Sequence, residues 1–496
     1  MRSRLVLSTA LVLSIIACAS PVRAQFDQAA YLKSMTPDAI QRGQAVALSG
    51  RLALLSGLEG NAEGTVAVFE QGLDGQWAFQ SLIKAGNAQG GDQFGVALAV
   101  DGDTIVVGAP GEDSAATGIG GDQGDDSAED AGAVYVYVRA QDQWVEQAYI
   151  KPSNTDAGDQ FGFSVALYGD TLVVGAPGED GGDSGVGGNP GSNALPTSGA
   201  AYVFVRSGGS WSQQAYLKAS NTDAADAFGT AVDVYRAWIA VGAPFEASAA
   251  TGLGGNAADD SASGAGAAYA FKRQGVNWSP LGYLKASNTD AGDRFGTSVA
   301  LTGSPTLIGH ELLLIVGAPG ESSLATGIGG NQNDNAASDA GAAYAFLGNG
   351  TGGWGQIAYL KASNTGADDE FGQRLAVSDG TTRRIVVGAS REDSLGTGVD
   401  GVQADNSAPQ AGAAYLFLEN NQSVQQEHYL KASNTGGGDR FGYAVAVDRS
   451  LILIGAPLED SAALGVGGDQ QDDSASNAGA AYLFSLPDGV FADRFD

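Results

Sequence analysis

The chain has 496 residues with 75 Gly, 14 Pro and 43% hydrophobic residues, a globular composition that excludes collagen-like and disordered chains. Lys and Arg total 25 against 56 Asp and Glu, and the formal charge of -31 opposes binding to nucleic-acid phosphates and to anionic membrane surfaces. A single cysteine, Cys18, rules out an internal disulfide or a thiolate metal cluster, and two histidines, His310 and His428, argue against most hydrolase and zinc-enzyme readings.

At the N-terminus, Arg2 and Arg4 precede an apolar stretch from Leu5 to Ala17, and Val22-Arg23-Ala24 offers a cleavage site. Residues 1–24 therefore read as a secretory signal peptide, and a secreted or cell-surface protein is expected. The stretch Ile15-Ile16-Ala17-Cys18 resembles a bacterial lipobox and gives the alternative of a lipid anchor at Cys18. Beyond the leader no run of about 20 apolar residues occurs, so no transmembrane span is expected.

Residues 25–487 repeat. A Tyr-Leu-Lys or close variant places lysines at Lys33, Lys84, Lys151, Lys218, Lys285, Lys361 and Lys431, and Phe-Gly pairs begin at Phe94, Phe161, Phe228, Phe295, Phe371 and Phe441, with Arg42-Gly43 standing in for the first. Seven units result. Each carries four short β-like runs, in the third unit Phe161 to Leu167, Thr171 to Pro177, Gly199 to Arg206 and Trp211 to Lys218, bounded by Gly, Asp and Asn. None keeps a helical period. The expected fold is an all-β, seven-bladed β-propeller of four-stranded antiparallel blades. The last unit has three runs, Phe441 to Val447, Leu451 to Pro457 and Gly479 to Leu486, and the missing fourth lies at Ala29–Lys33. Residues 25–34 are thus expected to close the ring by pairing in the last blade, because an unpaired edge invites aggregation.

Phe-Gly followed about a dozen residues later by Gly-Ala-Pro, as in Phe94-Gly95 with Gly108-Ala109-Pro110, resembles the FG-GAP repeat of the integrin α-subunit propeller and its bacterial relatives. The pattern recurs at Gly175-Ala176-Pro177, Gly242-Ala243-Pro244, Gly317-Ala318-Pro319 and Gly455-Ala456-Pro457, and as Gly388-Ala389-Ser390. The resemblance implies a propeller whose loop face binds a ligand, with adhesion as the expected role. The physical reading stands beside it: Phe wedges between blades, and Gly and Ala let backbones approach. Trp77, Trp144, Trp211, Trp278 and Trp354 follow the same spacing and read as blade packing.

The longest loops, such as Gly111 to Ala131 and Leu458 to Ala478, join second to third strands and are acidic. With up-and-down strands they emerge on the same face as the fourth-to-first loops, of which Ser153 to Asp159 is one, so one face is expected to collect the acidic loops. Glu112, Asp113, Asp122, Asp125 and Asp126, and likewise Glu459, Asp460, Asp469, Asp472 and Asp473, are the candidate ligands for Ca2+, a hard cation that takes six to eight oxygens. Solvated loops held by Asx turns explain the same letters without an ion. The Asp-rich calcium loop of many integrin-type repeats is absent here, since the turns between Phe-Gly and Gly-Ala-Pro are as short as Asp101-Gly102-Asp103. The first unit has Ser56-Gly57-Leu58 and only a brief Glu59 to Gly64 loop, which leaves a gap expected on the acidic face.

Catalysis finds little support. Carboxylate pairs suited to glycoside hydrolysis are too many to be specific. His310, in an irregular insertion from Thr302 to Glu311, and His428 lack a nucleophile arrangement, and neither a phosphate loop nor a His-Glu-x-x-His helix occurs. Residues 488–496 read as a C-terminal tail. The expected function is a non-catalytic binding or adhesion propeller for an extracellular protein or glycan. The alternatives are an extracellular carbohydrate-active enzyme using loop carboxylates and a scaffold without a specific ligand.

Overall fold

The computed structural model describes residues 26–36, 40–59, 63–306 and 309–486, so the expected signal peptide, Cys18 and the tail at 488–496 lie outside the described residues. Within them are seven four-stranded sheets. Blade 1 spans Val46 to Ile83, blade 2 Ala97 to Ile150, blade 3 Ser164 to Leu217, blade 4 Ala231 to Leu284, blade 5 Ser298 to Leu360 and blade 6 Arg374 to Leu430. Among the described residues there is no helix, and none therefore is long and apolar enough to cross a membrane.

In blade 3 the strands are Ser164–Tyr168, Thr171–Ala176, Ala200–Ser207 and Ser210–Leu217, all antiparallel, with Val173 opposite Val203 and Tyr202 opposite Tyr216. The first strand starts later than its apolar letters imply. Gln160 and Gly162 take φ of 56° and 92°, which breaks the extended chain and leaves Phe161 in a turn. The second strand is buried along its whole length because both faces abut neighbouring blades, which is why its sequence does not alternate.

Blade 7 combines Ala444–Asp448, Leu451–Ala456 and Ala480–Ser485 with the N-terminal strand Asp27–Leu32. Tyr31 lies opposite Tyr482 in an antiparallel pairing. The ring closes through its first strand, as expected.

The repeated Phe-Gly and Gly-Ala-Pro letters are one packing device. Phe161 is fully buried, meets Tyr202 edge-on at 5.5 Å, and packs against Val134 and Ile150 of the preceding blade. The Gly162 amide donates to the Gly175 carbonyl at 3.0 Å, tying Phe-Gly to Gly-Ala-Pro within the blade. Gly175 in turn faces the Gly229 carbonyl of the next blade so closely that no Cβ fits between them. The outer tryptophans also join blades: the Trp211 indole donates to Gln147 Oε1 and Trp278 to Gln214 Oε1, both at 2.9 Å. Both rings are buried, in keeping with packing.

Two regions depart from expectation. The insertion around His310 is not irregular: Ser298–Thr306 and Gly309–Ala318 pair in continuous register and lengthen the first hairpin of blade 5. In blade 1, Leu52–Glu59 and Glu63–Gln71 pair as far as Glu59 opposite Glu63, so the strands run into the segment expected as a brief loop. Buried Arg42 lies against Gly57 there and donates to Thr65 Oγ1 at 2.8 Å and Thr36 Oγ1 at 3.2 Å.

Candidate functional site

Strands that alternate in direction send the second-to-third and fourth-to-first loops out together, and backbone bonds show them meeting. The Gly158 amide, in the loop entering blade 3, donates to the Glu129 carbonyl in the long loop of blade 2 at 2.9 Å. Each long loop also folds back on its own blade. Ile119 bridges Ile150 at the outer strand end, and Val186 with Leu217 and Ile328 with Leu360 repeat the bridge. The loops therefore form one continuous face and cover part of each outer edge.

Beneath this face six blades repeat a buried polar cluster. In blade 2, Glu112 Oε2 accepts from Lys151 Nζ at 3.0 Å and from the Ser114 amide at 3.2 Å. Its Oε1 accepts from the Tyr149 hydroxyl at 2.7 Å and from Asn87 Nδ2 at 3.3 Å. The Tyr135 hydroxyl then donates to Asn87 Oδ1 at 2.7 Å. The same ion pair joins Glu179 to Lys218 at 3.2 Å, Glu246 to Lys285 at 2.7 Å, Glu321 to Lys361 at 2.9 Å, Glu392 to Lys431 at 2.9 Å and Glu459 to Lys33 at 2.8 Å. None of these side chains is more than 4% exposed. Burial pushes the six lysines below their ordinary value, and the adjoining glutamates counter it.

A second carboxylate series sits beside the first, two residues before each Phe-Gly glycine's phenylalanine. Asp159 Oδ2 accepts from the Asp156 amide at 2.9 Å, and Asp226, Asp293, Asp369 and Asp439 accept from the residue three before them in the same way. Burial pushes these five up to about 7 and Asp92 up to about 6; the backbone bond opposes the rise and the nearby glutamate adds to it.

The ten candidate calcium ligands fall into separate roles. Glu112 and Glu459 belong to the buried lysine clusters. Asp113 and Asp460 close their loops by accepting from the Asp130 amide at 2.8 Å and the Asn477 amide at 2.7 Å. Asp122, Asp469 and Asp472 hold Asx turns to Gly124, Gln471 and Ser474. Asp125 accepts from the Ala115 amide, Asp126 from Gln89 Nε2, and Asp473 is exposed on its loop. Among the described residues no three His, Cys, Asp or Glu side chains converge on a point where a metal ion could sit. The two glutamates do not fit a cation cage, because their oxygens already accept from lysine, tyrosine and asparagine.

A family model described as FG-GAP repeat matches residues 77–137, 144–204, 211–271, 354–417 and 424–484. The chain belongs to the FG-GAP repeat family. Each matched stretch starts in the fourth strand of one blade and ends in the third strand of the next, so the family repeat straddles a blade boundary. The unmatched stretch between residues 271 and 354 contains the lengthened hairpin of blade 5. No curated protein matches the chain. Among solved structures it is similar to an Aleuria aurantia lectin mutant in complex with Fucα1-6GlcNAc, at 11% identity and a TM-score of 0.39, covering 82% of this chain and 99% of that one. It is also similar to a mutant of AofleA from Arthrobotrys oligospora, at 9% identity and a TM-score of 0.38, covering 82% and 94%. At that level of likeness they inform none of the residues described above.

The position after Gly-Ala-Pro varies around the loop face of this FG-GAP propeller, with Arg391 in blade 6 and Leu458 in blade 7. Between blades 3 and 4 lies a cleft of about 720 Å³ lined by Asp223, Asp226, Asp260, Thr197 and Phe245. Phe245 follows Gly-Ala-Pro directly, where blades 2, 3 and 5 have Gly111, Gly178 and Gly320, and it is 51% exposed. Desolvation, then the Asp260 and Glu246 carboxylates, raise Asp223 above the usual carboxylate range. Neither Phe245 nor the lysine side of the glutamate clusters stood out as functional in the letters. The periodic lysines were visible only as repeat markers, although a glutamate two residues beyond each Gly-Ala-Pro recurs with them.

Proposed function

We propose that this chain is a non-catalytic, exported binding propeller that takes a cationic segment of an extracellular protein on its acidic loop face. The observation that carries this reading is the cleft lined by Phe245 together with Asp223 and Asp260. A half-exposed aromatic ring beside carboxylates suits a lysine or arginine side chain, which gains from the ring face and from the opposite charges together. Export rests on the leader at 1–24, and the net charge, -31 for the full chain and more negative once the leader's Arg2, Arg4 and Arg23 are removed, steers basic partners toward the face.

The test is calorimetric titration of the full mature chain with an arginine-rich peptide and an isosteric uncharged control. Saturable binding of the first alone, weakened at least about tenfold in Phe245→Ala and in Asp260→Asn, is the expected result; each tenfold step corresponds to about 1.4 kcal/mol. A glycan array run in parallel separates the alternatives. Saturable glycan binding without turnover assigns the face to sugars, product release assigns it to catalysis, and silence in both assays leaves a scaffold.

A further inference from the structure

We infer that the six buried lysine ammonium groups stand where a divalent cation would otherwise organise the long loops, so that the loop face folds without calcium. A carboxylate offers about four lone-pair sites, and Glu112, Glu179, Glu246 and Glu321 each accept four donors: lysine, tyrosine, asparagine and the backbone amide two residues on. A metal entering these sites would have to displace a lysine already within 3.2 Å. The ammonium is supplied by the residue directly after the fourth strand, so the charge that fastens each loop is covalently tied to the blade that the loop covers. In blade 7 the N-terminal segment supplies it, and Lys33 Nζ also donates to the Ser461 carbonyl at 2.5 Å, inside the loop itself. Lys218 likewise reaches Ser198 Oγ at 2.7 Å near the far end of its loop. The lysine thus touches the loop at more than its glutamate, as a coordinating ion does.

This holds whether or not a partner binds the face, and its test reads stability and exchange without any ligand. Thermal melting and amide hydrogen exchange of the full mature chain are compared in EDTA and in excess CaCl2. The expected result is the same melting temperature and the same slow exchange across residues 245–266 in both. Calcium that raises the melting temperature or slows exchange in that loop overturns the inference. Lys285→Ala provides the second arm: exchange across 245–266 should quicken severalfold, with other loops unchanged. Unchanged exchange in that variant also overturns it, and a variant that fails to fold leaves the wild-type comparison decisive.

Discussion

Lys33 Nζ lies 2.8 Å from Glu459 Oε2 with both side chains buried, an ion pair between the first strand of the ring and its last long loop. The Tyr31 hydroxyl reaches the other oxygen of the same carboxylate at 2.8 Å. The N-terminal segment that closes the propeller therefore supplies the tyrosine and lysine that every other long loop takes from the chain that follows it, so ring closure and the last polar cluster depend on the same segment.

Replacing Lys33 by Met should leave Glu459 charged and buried without its partner. A loss of about 3–5 kcal/mol is expected from such a removal. Urea denaturation of Lys33→Met checks it, and the double variant Lys33→Met with Glu459→Gln should recover part of the loss, since it removes both charges.

Stability should fall as pH rises from about 4 to about 7. Asp159, Asp226, Asp293, Asp369 and Asp439 have folded values of about 7, above the roughly 3.9 of an unfolded aspartate. The folded state then binds more protons than the unfolded one across that window, and the stability these groups add below about pH 4 is lost as they ionise. Melting temperatures in a pH series should be higher near about pH 5 than near about pH 8, and Asp226→Asn should flatten the slope. A melting temperature that climbs with pH through this range contradicts the assignment.

Glycines with the same φ sign should differ sharply in tolerance. Gly229 has φ of 94° and a Cβ there would collide with the Ala200 carbonyl, whereas Gly169 has φ of 56° with open space around it. Gly169→Ala should cost about 1 kcal/mol from backbone strain alone. Gly229→Ala should cost several times more, because a backbone carbonyl has to move, and melting curves of the two variants side by side decide it.

Trp211 is 5% exposed and its indole bonds to the preceding blade. Trp211→Ala should cost about 3–5 kcal/mol as a large-to-small core change. Titration with the basic peptide should give unchanged affinity, since the ring lies on the outer strands away from the Phe245 cleft. Lost affinity with retained stability would instead make the tryptophans part of the binding surface.

Much of the architecture was readable from letters because a propeller is a local object repeated. The lysine and Phe-Gly spacing counts blades, and the three-run final unit with a spare run at Ala29–Lys33 implies closure by pairing. The start of each first strand was less legible. Phe161 has a strand former's side chain, but its turn is set by Gln160 and Gly162 at positive φ, and glutamine at such a position carries no local signal. Around His310 the pairing of Ser298–Thr306 with Gly309–Ala318 overrode the turn-forming Gly and Pro that read as irregular.

The amino-acid order by itself determined the repeat, the number of sheets and the concentration of acid in the loops, since these depend on residues near one another in the chain. Only the tertiary structure decided what each acid does. Glu112 and Asp122 look alike in a loop, yet Glu112 is buried against Lys151 while Asp122 turns its own backbone in solvent. That difference comes from burial and from partners at distances such as the 426 residues between Lys33 and Glu459, which local pattern does not encode.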